Sequence, residues 1–207
     1  MLLRQINEMR ELKISESGLW LPVYLKLEEA KLFLDNLRTH TRFPKLVLFY
    51  SAAFLSAARS ITFHIQKQII PTFKDGKARY DELREKYLSG DSARFFVGLR
   101  NLSEKEMYLP LRFEMMEKYP DDQSDKIIYT VRASAAPSSP SKPHFVWLEN
   151  VLNTEWTSYT HTHPRWIIDD FPGGEKELCE ACEEYLIVLQ KFVEVLRQSL
   201  ESDGMQR

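Results

Sequence analysis

Between Leu46 and Ala58 the chain carries thirteen consecutive uncharged residues, LVLFYSAAFLSAA, before Arg59 interrupts and RSITFHIQKQ continues to Gln68. Bulky apolar side chains alternate there with Ala and Ser, so a helix made from this segment can be approached closely by neighbouring helices and has little polar surface to offer water. Such a helix needs partners on several sides, which predicts a bundle with this segment at its centre. The arginine set into it, and a second at Arg100 followed by Asn101 in RFFVGLRNLSEKE, predict buried or half-buried arginines within that bundle.

The flanking segments supply the partners. Val23, Leu27, Ala30, Leu34 and Leu37 recur at spacings of four, three, four and three, the signature of one helical face from Val23 to about His40. Pro44 punctuates the chain, and Pro71 ends the long helix that begins near Lys45. KARYDELREKYL places Tyr80, Leu83 and Tyr87 on one side of a further helix, which Ser89 and Gly90 break. Asp91 is a good N-cap for SARFFVGLRNLSEKEM, with Phe95, Leu99 and Leu102 sharing a face. From about Gly174 to Glu201 a last helix runs, with Leu178, Cys182, Tyr185, Leu189, Phe192, Leu196 and Leu200 as its seam. Its other face carries Glu177, Glu180, Glu183, Glu184 and Glu194, a solvated acidic surface.

Between the helical parts the period changes to two. Leu109, Leu111, Phe113 and Met115 alternate with other residues, as do Ile127, Tyr129 and Val131, which predicts half-buried strands with a turn at Asp121 to Ser124. HFVWLEN reads as a third strand, and the Pro/Ser-rich stretch 133–143 as a flexible loop. The expectation is therefore one domain over 1–207, mainly α: a helical bundle from 24–107 and 174–201, with a small inserted antiparallel β-sheet in the strand-rich stretch 109–171. Residues 1–22 resist a firm reading.

With 43% hydrophobic residues in 207, the chain has ample material for a core. A formal net charge of -2 gives no overall attraction toward nucleic acid or anionic lipid, so any phosphate contact must be local. No uninterrupted apolar run reaches the roughly 20 residues that span a bilayer, and MLLRQINEMRELK lacks the apolar stretch of a secretory signal. A cytoplasmic protein without membrane partners is the expectation. Walker, GxGxxG, GxSxG, HExxH and EF-hand patterns are absent, and no cofactor is indicated. Cys179 and Cys182 form a CxxC inside a helical pattern with no second pair to complete a metal set, which favours packing over redox or zinc chemistry.

The Arg100-Asn101 step within FFVGLRNLSEKEMYLPL, and the bundle around it, resembles the HEPN superfamily. The resemblance implies a helical bundle and, in catalytic members, metal-independent RNA cleavage at a dimer interface by an Arg, a following polar residue and a His four to six residues on. Here the His positions hold Lys105, Glu106 and Met107. That absence removes the group that would act as acid or base on the 2'-hydroxyl or the leaving group. Arg59 with His64 repeats the spacing, with Ser60 where Asn is usual. Five helical steps leave those side chains about 140° apart unless the helix loosens near Phe63.

Each of these residues also has a structural reading. Arg59 would pair with a buried carboxylate or cap carbonyls between helices, Arg100 would pair with Glu104 one turn on, and His64 would sit half-exposed at the core edge. His161 and His163 would point the same way on a strand and offer a weaker, metal-binding alternative, with His144, Asp169 or Asp170 completing it. The aromatics Phe145, Trp147, Trp156, Tyr159 and Trp166 suit packing or a subunit interface better than base stacking, because acidic residues surround them. The candidate site is thus Arg100, Asn101, Arg59 and His64, in a catalytically silent HEPN-like binding or assembly module or, alternatively, a metal-independent endoribonuclease. A homodimer and an RNA or protein partner are compatible with both.

Overall fold

The computed structural model describes residues 18–106, 109, 111–117, 126–132 and 162–202. Helix α1 spans Leu21–Thr39 and α2 Pro44–His64, each with a proline in its first turn, where the missing N–H has no helical acceptor to lose. The buried positions of α1 are Val23, Leu27, Ala30, Leu34 and Leu37, the same five that the spacing selects. They pack against Val47, Phe54, Leu55, Ala58 and Ile61 of α2 in one shared core. Full burial of each large aliphatic side chain contributes about 1.5–3 kcal/mol, so this seam is a principal source of stability.

Regular α geometry in the central helix stops at His64. A π turn, Ile65–Ile69, and a 3-10 turn, Ile70–Thr72, follow. Pro71 has no N–H to give the carbonyl one turn back, and the backbone widens as it approaches that residue, with Ile70 N–H bonding the Ile65 carbonyl. The chain then doubles back at Gly76, where a Cβ would lie 2.5 Å from the Ile70 carbonyl oxygen. Only glycine fits that approach, and it starts α3, Gly76–Leu88. Helix α4, Asp91–Glu106, follows after Ser89 and Gly90.

Three strands and a short fourth make one antiparallel sheet in the order β2-β1-β3-β4. They are β1 Leu111–Glu117, β2 Lys126–Arg132, β3 Thr162–Ile168 and β4 Lys176–Glu177. Leu111, Phe113, Trp166 and Ile168 belong to the same core as the helices, and the Trp166 indole N–H donates to the Thr41 carbonyl at 2.8 Å. That bond ties β3 to the link between α1 and α2. The segment HFVWLEN and the loop 133–143 lie outside the described residues, and the third strand among them is the His/Trp-bearing Thr162–Ile168 instead.

The last helix, α5, spans Leu178–Ser202, four residues later than its apolar pattern suggests. Gly173 and Gly174 adopt φ of 95° and 117°, a left-handed conformation that forms a turn and cannot begin a right-handed helix. Lys176 and Glu177 pair with Ile168 and Ile167 before the helix starts, and the Glu177 carboxylate then accepts the Glu180 N–H at 2.9 Å as a cap. Leu178, Cys182, Leu189, Phe192, Leu196 and Leu200 are buried on its seam. Among the described residues the result is a mainly helical architecture of five helices with a small antiparallel sheet against the bundle.

The continuous helical stretch Pro44–Thr72 is long and apolar enough to cross a membrane by length and composition, with mean hydropathy 1.5 in its most apolar window. Of that window 44% is buried inside the protein, and the core helix of a soluble protein passes the same test.

Candidate functional site

The side chains expected to act together are dispersed. Arg100 binds Glu104 at 2.7 Å and donates to the Asn101 side-chain carbonyl at 3.1 Å, so its charge is spent along its own helix. Arg59 and His64 both lie within the regular part of α2, before the π turn begins, and their side chains leave the helix in different directions. His64 is half-buried, meets Phe63 edge to face, and has a buried Nδ1 without a hydrogen-bond partner. Arg59 is half-buried too, but it donates to the Thr62 hydroxyl at 2.8 Å and to no carboxylate among the described residues.

Arg59 and Thr62 line a cleft of about 360 Å³ where α2, α3, α4 and α5 meet. The helical repeat explains what else reaches it. Tyr80, Arg84 and Leu88 lie four apart on one side of α3, and Ser89 closes the turn. From the first turns of α4 come Ala93, Arg94 and Val97, and α5 contributes Tyr185. Glu85 is the one carboxylate among the lining residues, which therefore hold three guanidinium groups and an excess of two positive charges. Neither Arg84 nor Arg94 makes an ion pair among the described residues. Arg38, Arg100, Arg112 and Arg197, by contrast, each hold a carboxylate.

The two tyrosines are fixed in place. Tyr185 stacks on Phe96 with ring centres 4.4 Å apart and planes 3° from parallel, and Tyr80 meets Phe192 edge to face. Burial pushes the Tyr185 hydroxyl up to about 12, against the opposing pull of the Arg59 charge. Tyr80 is raised as well, chiefly by burial, while the bond from Gln66 and the charges of Arg84 and Arg59 act the other way. Both hydroxyls are therefore neutral donors at ordinary pH. Because the Tyr80 oxygen accepts from the Gln66 amide at 2.7 Å, its own proton is left for another acceptor.

Sequence reasoning named Arg59 and missed Arg84 and Arg94. Both arginines are exposed and occupy helix faces that read as ordinary solvated surface. Their distance of ten residues spans a helix break, so no periodicity joins them; the packing of α3 against α5, and of α4 against α2 and α5, does.

A second arginine centre was also missed. Arg112 on β1 is only 4% exposed and lies against Glu114 at 2.9 Å, Asp169 at 2.6 Å and Glu175, which it grips with two nitrogens at 2.8 and 2.6 Å. The alternation that sends Phe113 to the bundle sends Arg112 and Glu114 to the other face. Asp169 follows β3 and Glu175 precedes β4, so one guanidinium fastens both ends of the turn that leads into α5. The bonds to Glu175 hold its charge in place.

His161 lies outside the described residues, and His163 sits on β3 opposite Met116. Among the described residues no group of three or more His, Cys, Asp or Glu is arranged to hold a metal ion. Both cysteines are free on α5; burial pushes Cys179 up to about 12 and Cys182 well above its ordinary value, which leaves two poorly nucleophilic thiols. Compared with known proteins, the chain matches no family model, no curated sequence and no solved structure.

Proposed function

We propose that this protein is a catalytically silent, HEPN-like binding module whose working surface is the arginine-lined cleft between α2, α3, α4 and α5. The observation that carries this reading is the meeting of Arg59, Arg84 and Arg94 in one cleft with no ion-paired carboxylate among the described residues and no histidine among the lining residues. Gathering like charges in a folded protein is unfavourable, and an anion at the cleft relieves the repulsion. Besides the arginines and Glu85, the polar lining groups are the hydroxyls of Thr62, Ser89, Tyr80 and Tyr185, which gives the cleft neutral donors for an anion and no histidine.

The test has two arms. Incubation of single-stranded RNA with the protein in chelator is expected to leave the RNA intact. Sulfate at constant ionic strength is expected to raise the melting temperature, an effect lost in Arg84→Gln/Arg94→Gln. Cleavage that disappears in Arg59→Ala would replace this reading with the metal-independent ribonuclease.

Assembly is a second reading, favoured by Phe49 and Phe63, which are 59% and 50% exposed on the outer side of α2. A concentration-dependent molar mass that Phe49→Ser and Phe63→Ser abolish would support a homodimer through that face.

A further inference from the structure

The composition of the cleft narrows the ligand it can take, on the premise that it is an anion site at all. Its charged lining residues are Arg59, Arg84, Arg94 and the single carboxylate Glu85, and its apolar ones include Leu88, Ala93 and Val97. An excess of two positive charges matches a dianionic head, and the guanidinium forks suit the tetrahedral oxygens of a phosphoryl group better than a single carboxylate. A volume of about 360 Å³ holds a head and a small body together.

The surroundings argue against a long polyanion. On α3, Arg84 is flanked in sequence by exposed Asp81, Glu82 and Glu85 as well as by exposed Lys77 and Lys86, a mixed surface and not a basic track, and Asp91 opens α4. A nucleic-acid strand leaving the cleft over α3 would pass these carboxylates, and a chain of net charge -2 supplies no wider attraction to offset them. A compact anion, wholly contained by the arginines, avoids that repulsion.

We infer that the cleft binds a small phosphomonoester, with its dianionic head between Arg59, Arg84 and Arg94 and its organic body against Leu88 and Val97. The Tyr185 hydroxyl, held on its ring by the Phe96 stack and making no hydrogen bond among the described residues, donates to a phosphoryl oxygen. Tyr80 offers a second donor beside it.

Calorimetric titration of the full chain with phenyl phosphate, inorganic phosphate, phenyl sulfate and a short single-stranded RNA tests this. Phenyl phosphate is expected to bind one per chain, roughly tenfold or more tighter than either inorganic phosphate or the singly charged sulfate ester. Arg84→Gln should weaken it by roughly tenfold or more, Tyr185→Phe by several-fold with the stack retained, and Arg197→Gln, remote from the cleft, should leave it unchanged. Equal affinity for phenyl phosphate and inorganic phosphate would overturn the part played by the apolar wall, and equal affinity for phenyl phosphate and phenyl sulfate would overturn the dianionic head. RNA binding that depends on Arg84, with no binding of phenyl phosphate, would overturn the small-ligand inference and keep the anion-binding module. Failure of all four probes would overturn both.

Discussion

Two arginine centres in this molecule use the same side chain to opposite ends. At the sheet, one guanidinium is 4% exposed and meets three carboxylates; at the helical cleft, three guanidinium groups meet and none is ion-paired to a carboxylate among the described residues. Arg112 has a carboxylate against each of its three nitrogens, hydrogen-bonded by two of them to Glu175, while its Nε meets Glu114 as a charge contact without a hydrogen bond. The cleft is unsaturated, and its partly exposed cations keep their hydration until an anion replaces it. Burial among carboxylates marks a charge that holds the fold, whereas like charges collected without a counter-charge mark a place where something is received.

The largest effect should come from breaking the paired centre. Arg112→Met leaves Glu114 buried and Asp169 without their cation, and should destabilise the protein by about 3–5 kcal/mol in denaturant unfolding. Adding Glu114→Gln should recover part of that loss, because it removes one of the stranded charges. A loss below about 1 kcal/mol would show that the three carboxylates are satisfied elsewhere, and the contrast between the centres would collapse.

Alkaline titration comes next, and it probes the wall of the cleft together with the seam of α5. In the unfolded chain a thiol releases its proton near 9 and a phenol near 10, whereas folded Cys179 and Tyr185 hold theirs until about 12. The native state therefore binds more protons than the unfolded state across this range. The stabilisation is complete below about pH 9 and falls as the pH rises toward 12. Unfolding midpoints at neutral pH and at about pH 10.5 should show the decline, and Tyr185→Phe should make it shallower. A flat profile would mean that the Tyr185 hydroxyl is open to water and not a preorganised donor.

Arg100→Ala should have the smallest effect on stability. The Arg100–Glu104 pair is 31% and 45% exposed, and its loss should cost only about 0.3–0.5 kcal/mol by chemical denaturation. Anion binding should be unaffected, since Arg100 does not line the cleft. If Arg100→Ala abolished sulfate-dependent stabilisation while Arg84→Gln did not, the binding site would have to move to the Arg100-Asn101 step.

The sequence by itself determined the helices and most of their inward faces, although on α4 the fully buried aromatic is Phe96, with Phe95 and Leu102 half-buried. A helix repeats every 3.6 residues, so Val23, Leu27, Ala30, Leu34 and Leu37, and Leu178 through Leu200, announce their burial locally. Alternation in Leu111–Met115 announced a strand for the same reason, and Arg100 with Glu104 could be read as neighbours one turn apart. Start and stop points were less legible where they depend on partners. The π turn before Pro71 and the delay of α5 to Leu178 follow from a close backbone approach at Gly76, a left-handed turn at Gly173 and Gly174, and the pairing of β4 with β3.

Only the tertiary structure decided where the charges meet. Arg59, Arg84 and Arg94 come from three helices, and Arg112, Asp169 and Glu175 from β1 and from the turn between β3 and β4. No local period links such residues. Whether an arginine is paired depends on which elements fold against it, because electrostatic interaction acts through space while helical and strand patterns act along the chain.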